Sequence, residues 1–165
     1  MTPKPKTPHI TIRIATKADL DAVARLNARF NEVDSTAEQI ATRLVDPQCV
    51  EIPIVAEVED QIVGFAGLRV APLIFYDGAH AELTELFVEE DYRRCGVGQA
   101  LIKFAERLAI SKGAEELILH TGEDNETAQA FYSAVGFEPW EIVMGKSLSQ
   151  PDHHPIERTI NDGET

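Results

Sequence analysis

The residues best suited to hold an anion are two cations and two glycines close together, in Arg93-Arg94-Cys95-Gly96-Val97-Gly98. Before them Glu82 to Val88 alternates apolar and polar residues, which predicts a strand. After them Leu101, Phe104, Ala105 and Leu108 recur at helical spacing, which predicts an amphipathic helix ended by Gly113. The first N–H groups of a helix lack intrahelical acceptors, and the helix dipole adds partial positive charge there. Glycines at such a turn let a phosphate reach the backbone with no Cβ in the way. Arg93 and Arg94 can add charge-assisted bonds, so the expected ligand carries a phosphate or pyrophosphate. A Walker loop fails, because Gln99 and Ala100 follow Gly98 where Lys and Ser/Thr are needed. A dinucleotide fingerprint wants a third glycine where Leu101 stands.

A second block follows: Asn125-x-x-Ala128-x-x-Phe131-Tyr132-x-x-x-Gly136-Phe137. The first block resembles the Arg/Gln-x-x-Gly-x-Gly/Ala loop of the GCN5-related N-acetyltransferases, the GNAT superfamily. The second is similar to that family's second acyl-CoA segment. The two stand in the family's order and spacing, with an expected strand, Leu117 to Thr121, between them. The resemblance covers roughly residues 10–148.

The resemblance implies a single α/β domain: a mixed, mostly antiparallel sheet flanked by four helices, with a splay between the fourth and fifth strands. It implies direct transfer of an acetyl group from acetyl-CoA, the cosubstrate, to a primary amine of a small molecule or protein. Arg93, Arg94, Cys95, Gly96, Val97, Gly98, Gln99 and Ala100 would then hold the pyrophosphate. The backbone of Leu86, Phe87 and Val88 would line the acyl and pantetheine arm, with one strand amide on the oxyanion. Asn125, Ala128, Phe131 and Tyr132 would complete the cosubstrate site. Tyr132 matches the family's tyrosine that protonates the leaving thiolate, although its spacing with Ala128 also suits a core tyrosine. For a general base, Glu82 and Glu85 rank level and His120 third. Strict alternation would put Glu82 and Glu85 on opposite faces, and each also reads as a solvated strand residue. A homodimer is expected from family habit. The alternative function is an acyl-CoA-binding module without turnover.

The elements that must position these groups are legible in outline. Residues 1–9 are rich in Pro and Lys and read as a flexible tail, as does the polar stretch 149–165, leaving 10–148 as the domain. Ile10, Ile12 and Ile14 mark a first strand. Thr16-x-x-Asp19 and Ser35-x-x-Glu38 resemble capping boxes before two helices, the second ending near Pro47. Val50 to Val58 and Gln61 to Val70 read as a hairpin turning at Glu59-Asp60. Pro53 suggests an edge or a bulge. Phe75 and Tyr76, in a longer loop, either line an acceptor pocket or plug the core. Trp140, Ile142 and Met144 alternate as a last strand.

Length and composition set the class. At 165 residues and 44% hydrophobic content, one globular domain is expected. No apolar run approaches the roughly 20 residues of a membrane span, and the N-terminus lacks the apolar core of a signal peptide, so a cytoplasmic protein is expected. The net charge of −13 disfavours nucleic-acid binding and favours a cationic acceptor. Cys49 and Cys95 are too few for a disulfide framework and have no ligand neighbours, so no metal is expected. The adjacent His153 and His154 do not share a helix face. No base neighbours Cys95 in sequence, so no thiol chemistry is expected of it.

Overall fold

The computed structural model describes residues 9–140 and 142–148. Its elements run β1 (Ile10–Ile14), α1 (Leu20–Asn31), α2 (Ala37–Leu44), β2 (Glu51–Val58), β3 (Gln61–Pro72), β4 (Ala79–Val88), α3 (Val97–Ser111), β5 (Ala114–Leu119) and α4 (Glu126–Ala134). Short 3-10 turns at Lys17–Asp19 and Glu90–Tyr92 precede α1 and the glycine loop.

The strands form one sheet in the order β1-β2-β3-β4-β5, antiparallel except for the parallel pair β4–β5. A parallel pair needs a crossover, and α3 supplies it. That is the mixed, mostly antiparallel sheet with four helices expected from the sequence. Ile54, Ala56, Leu68, Ala81 and Leu83 bury one face of the sheet with Leu101, Ile102 and Ala105 of α3. Val55, Phe65 and Phe87 bury the other with Val23 and Leu26 of α1. Successive strand residues point to opposite faces, so both faces of the central strands are apolar and each takes a helix.

Local signals act largely as expected. The Thr16–Asp19 capping box forms, but it opens the 3-10 turn, and Asp19 is also bound by Arg13 at 2.6 and 2.8 Å. The second box uses Thr36 and Gln39, one residue beyond the expected Ser35 and Glu38. Glu59 (φ 49°) and Asp60 (φ 65°) turn the β2–β3 hairpin in the left-handed region. Pro53 marks no edge, because β2 lies between β1 and β3. Its carbonyl accepts from Ala15 at 2.9 Å on the β1 side. A strand residue's N and C=O point the same way, so the missing donor faces a place where β1 has already ended at Ile14.

Two strand expectations are corrected. The last strand does not form: Ile142 and Met144 are 90% and 91% exposed, and the described residues beyond Phe137 belong to no strand. Alternation without an available partner makes no ladder. The strand after α3 begins at Ala114 and ends at Leu119, short of the expected Thr121. The tails and the pair His153–His154 lie outside the described residues, apart from His9.

Candidate active site

The site is organised by an irregularity in β4. Glu85 pairs with Gly67 and the next pair is Leu83 with Leu68, so Thr84 is an extra residue with no partner on β3. Such a bulge breaks strict alternation. Glu82 stands opposite Arg69 and Glu85 opposite Gly67, two residues apart on β3, so both glutamates lie on the α1 face. This corrects the expectation of opposite faces. The glutamates are differently placed on that face. Glu82 accepts from Arg69 at 3.0 Å and approaches His120 Nδ1 at 3.3 Å. Glu85 is half-buried and accepts a long bond from Asn31 Nδ2 at 3.4 Å. Burial holds its carboxyl above the usual range despite that bond, and the nearby Glu51 adds to the effect.

Beyond the bulge β4 leaves its parallel neighbour. Pairing with β5 ends at Leu83–Leu119, while β4 continues to Val88, so Thr84 to Val88 have no β5 partner. The expected splay is therefore present, and Leu86, Phe87 and Val88 lie along it. Phe87 turns its ring into the α1 core. The strand end is pinned by Glu89, buried, whose Oε1 accepts from Arg25 at 2.5 Å and Arg29 at 2.9 Å, and whose N–H bonds Val63 at 2.8 Å. These contacts tie α1 to the start of the glycine loop; sequence reading did not single them out.

In the loop Arg94 (φ 61°) and Gly96 (φ 86°) are left-handed, and Val97 opens α3. The first amide of the helix start to find a backbone acceptor is that of Ala100, on Gly96 O at 3.0 Å. Among the described residues the amides of Arg94 to Gln99 have no well-formed hydrogen bond, which leaves donors at a helix start that suit an anion. A Cβ at Gly96 would meet nothing within 4 Å, so that side of the loop is open. Gly98 serves packing instead: a Cβ there would lie 3.1 Å from Cζ of Phe131. Arg93 turns back from the loop, donating from Nε to Val88 O at 2.9 Å with its guanidinium 5.8 Å from the Phe87 ring centroid. Arg94 and Cys95 are exposed.

α4 packs by Phe131 against Gly98 at the start of α3. Asn125 caps it, accepting from Ala128 N at 3.0 Å. The ring of Tyr132 packs against Phe131 and Phe137, with centroids 5.4 and 5.8 Å away. Burial raises the Tyr132 hydroxyl pKa above its ordinary value, and the charge of Glu85 adds to this.

The profile of the Acetyltransferase (GNAT) family matches residues 20–137. The chain belongs to the GNAT family. An uncharacterized N-acetyltransferase of Methanocaldococcus jannaschii is 42% identical over 65 residues, 39% of this chain and 29% of that protein. The chain thus spans well under half the length of that relative. An acetyltransferase of Pectobacterium atrosepticum is 30% identical over 144 residues, covering 83% of this chain and 94% of the other. Among solved structures, an aminoglycoside N-acetyltransferase in complex with CoA superposes with a TM-score of 0.74 at 23% identity, over 87% of this chain and 97% of that one.

This GNAT chain also has a cavity of about 280 Å³ against the bulge, on the α1–α2 side of the sheet. Glu51, Gly67 and Glu85 contribute to one part of its wall, Val23, Ile40 and Phe65 are among its apolar residues, and Asn27, Arg43 and Cys49 also line it. Thr84 Oγ1 donates to Glu51 Oε1. Glu51 and Thr84 were missed by sequence reading; a glycine inside the β3 run, Gly67, was the available signal of a bulge. Phe75 and Tyr76 are 87% and 75% exposed and do not plug the core. Tyr76 instead lines a second cavity, with Ala79 and Glu115 at the opposite ends of β4 and β5 from the parting. No helix among the described residues is long and apolar enough to cross a membrane.

Proposed function

We infer that this GNAT chain transfers an acetyl group from acetyl-CoA to a primary amine by direct attack, without an acyl-enzyme. One observation carries the reading: β4 parts from β5 beyond Leu83, beside a loop whose amides from Arg94 to Gln99 are free to donate. The loop amides suit the pyrophosphate, with Arg94 as the exposed cation. The backbone of Leu86, Phe87 and Val88 along the parting suits the pantetheine and acyl arm. A strand amide there would stabilise the oxyanion. Asn125, Ala128 and Phe131 on α4 would wall the same groove.

Tyr132 is the general acid for the departing thiolate. Its hydroxyl, with an ordinary value of 10.0 that burial raises further, is protonated at neutral pH as an acid must be. The acceptor enters from the cavity on the α1 face, where Glu51 and Glu85 attract an ammonium group and the apolar walls hold its carbon skeleton. The structural relative is an aminoglycoside N-acetyltransferase, and an aminoglycoside is an amine of this cationic kind. The protein acts as a homodimer on this reading.

The test is acceptor-dependent release of free CoA thiol over a panel of amines. Turnover with at least one amine supports the reading. Binding of acetyl-CoA with no thiol release over the whole panel would leave an acyl-CoA-binding module without turnover.

A further inference from the structure

Both carboxylate oxygens of Glu82 are engaged. Oε2 accepts from Arg69 Nη1 at 3.0 Å, and Oε1 lies 3.3 Å from His120 Nδ1. The Glu82 side chain is only 15% exposed, whereas His120 is 52% exposed. A carboxylate so held is poorly placed to collect a proton, but well placed to fix a ring. At that distance the Glu82 carboxylate favours the proton on Nδ1 electrostatically, which leaves the lone pair of the neutral imidazole on Nε2, the tautomer a base needs. Topology puts His120 where the two strands part. Ile118 pairs with Glu82, and His120 lies two residues further, immediately past the end of β5 where the strands part.

Glu85 is suited to a different task. It is half-buried beside Glu51 in the wall of the acceptor cavity. An anchor for an ammonium group must stay charged beside it, and taking the proton would abolish the attraction.

We propose that His120 is the general base of the transfer, with Glu82, braced by Arg69, as its positioning residue. The proposal rests on the acetyl-transfer reading above. His120 Nε2 takes one proton from the acceptor ammonium. The freed nitrogen lone pair forms a C–N bond to the thioester carbonyl carbon, and the C–S bond breaks as the tetrahedral species collapses. Sulfur receives the Tyr132 proton, Tyr132 recovers one from the amide nitrogen, and His120 releases its own to solvent. The charged groups facing the imidazole are Glu82 on β4 and, behind it, Arg69 on β3; Glu85 lies past the bulge on the same face.

The experiment compares wild type with His120→Gln, Glu82→Gln and Glu82→Asp, using whichever amine of the panel turns over. It measures acetyl-CoA affinity by calorimetry, kcat and KM across pH, and the His120 ring titration by NMR. The wild-type rate should rise with pH through one ionisation matching the His120 titration. His120→Gln should lower kcat by about 10² or more and abolish that ionisation, with acetyl-CoA affinity unchanged. Glu82→Gln should lower kcat by about tenfold or more with acetyl-CoA affinity little changed, because the ring loses the carboxylate that orients it, and Glu82→Asp should restore part of the rate. An unaltered profile and full kcat in His120→Gln would overturn the proposal while leaving acetyl transfer standing. A wild type that binds acetyl-CoA but acetylates no amine would overturn both.

Discussion

Thr84 Oγ1 fills the space that a side chain at position 67 would need. A Cβ built on Gly67 collides with that oxygen and would stand 2.7 Å from Glu51 Oε1. The glycine on β3 and the bulge on β4 are therefore one device, which brings Glu82 and Glu85 to the same face. Gly67→Ala must displace both Thr84 and Glu51. Overpacking of this kind costs about 1 to 3 kcal/mol. We expect a lower melting temperature and a raised KM for the amine, with acetyl-CoA affinity little changed. Wild-type KM for the amine would mean that the bulge does not shape the acceptor site.

Gly96 holds φ 86° at the mouth of the loop with open space around it. A valine there would strain the backbone by about 1 to 2 kcal/mol and place a branched side chain where the proposed pyrophosphate site is open. Gly96→Val should weaken acetyl-CoA binding at least about tenfold, roughly 1.4 kcal/mol. Calorimetry on the folded variant decides; unchanged affinity removes the loop from the cosubstrate site.

Tyr132→Phe keeps the ring against Phe131 and Phe137 and removes only the hydroxyl. Acetyl-CoA affinity should stay near wild type while turnover falls, by up to about 10² to 10⁴ if general acid catalysis is fully used. Because burial and then Glu85 raise the hydroxyl pKa, the wild-type rate should persist beyond the ordinary phenol value of 10.0. Normal turnover in the Phe variant would return Tyr132 to a packing role.

Asp19 joins the first capping box to Arg13 and is held well below the usual carboxylate range, chiefly by its bonds from Arg13. A depressed folded-state pKa contributes stability that is present above the unfolded value, near 3.8, and is lost as pH falls through the folded one. Asp19→Asn should therefore cost about 2 kcal/mol at neutral pH. The gap to wild type should narrow steadily below about pH 4. Urea titrations at several pH values test this, and a gap independent of pH would refute it.

Sedimentation at micromolar concentration should give a dimer. The exposed Trp140, Ile142 and Met144 offer apolar surface on which copies could meet. A monomer throughout that range would count against the homodimer.

The glycine loop, the helix after it and the Tyr132 helix were legible in the sequence because their causes are local. Helical spacing of Leu101 and Ala105, a left-handed Gly96 and an Asn125 cap all act within a few residues of chain. The capping box at Thr16 and the turn at Glu59–Asp60 were legible for the same reason. The bulge at Thr84 was not, because strand register is set by a partner strand, and a single extra residue reverses which face each later side chain takes. Alternation therefore put Glu82 and Glu85 on opposite faces, whereas their pairing with Arg69 and Gly67 puts them on one. The same dependence on partners explains Trp140 to Met144, whose alternation found no strand to pair with. It also explains His120, which strand propensity placed inside β5. There the sheet has already parted, and only the meeting of β3, β4 and β5 brings Arg69, Glu82 and His120 together. Local geometry is written in neighbours along the chain; the face shared by Glu82 and Glu85 is written in contacts between strands, which no spacing along one strand records.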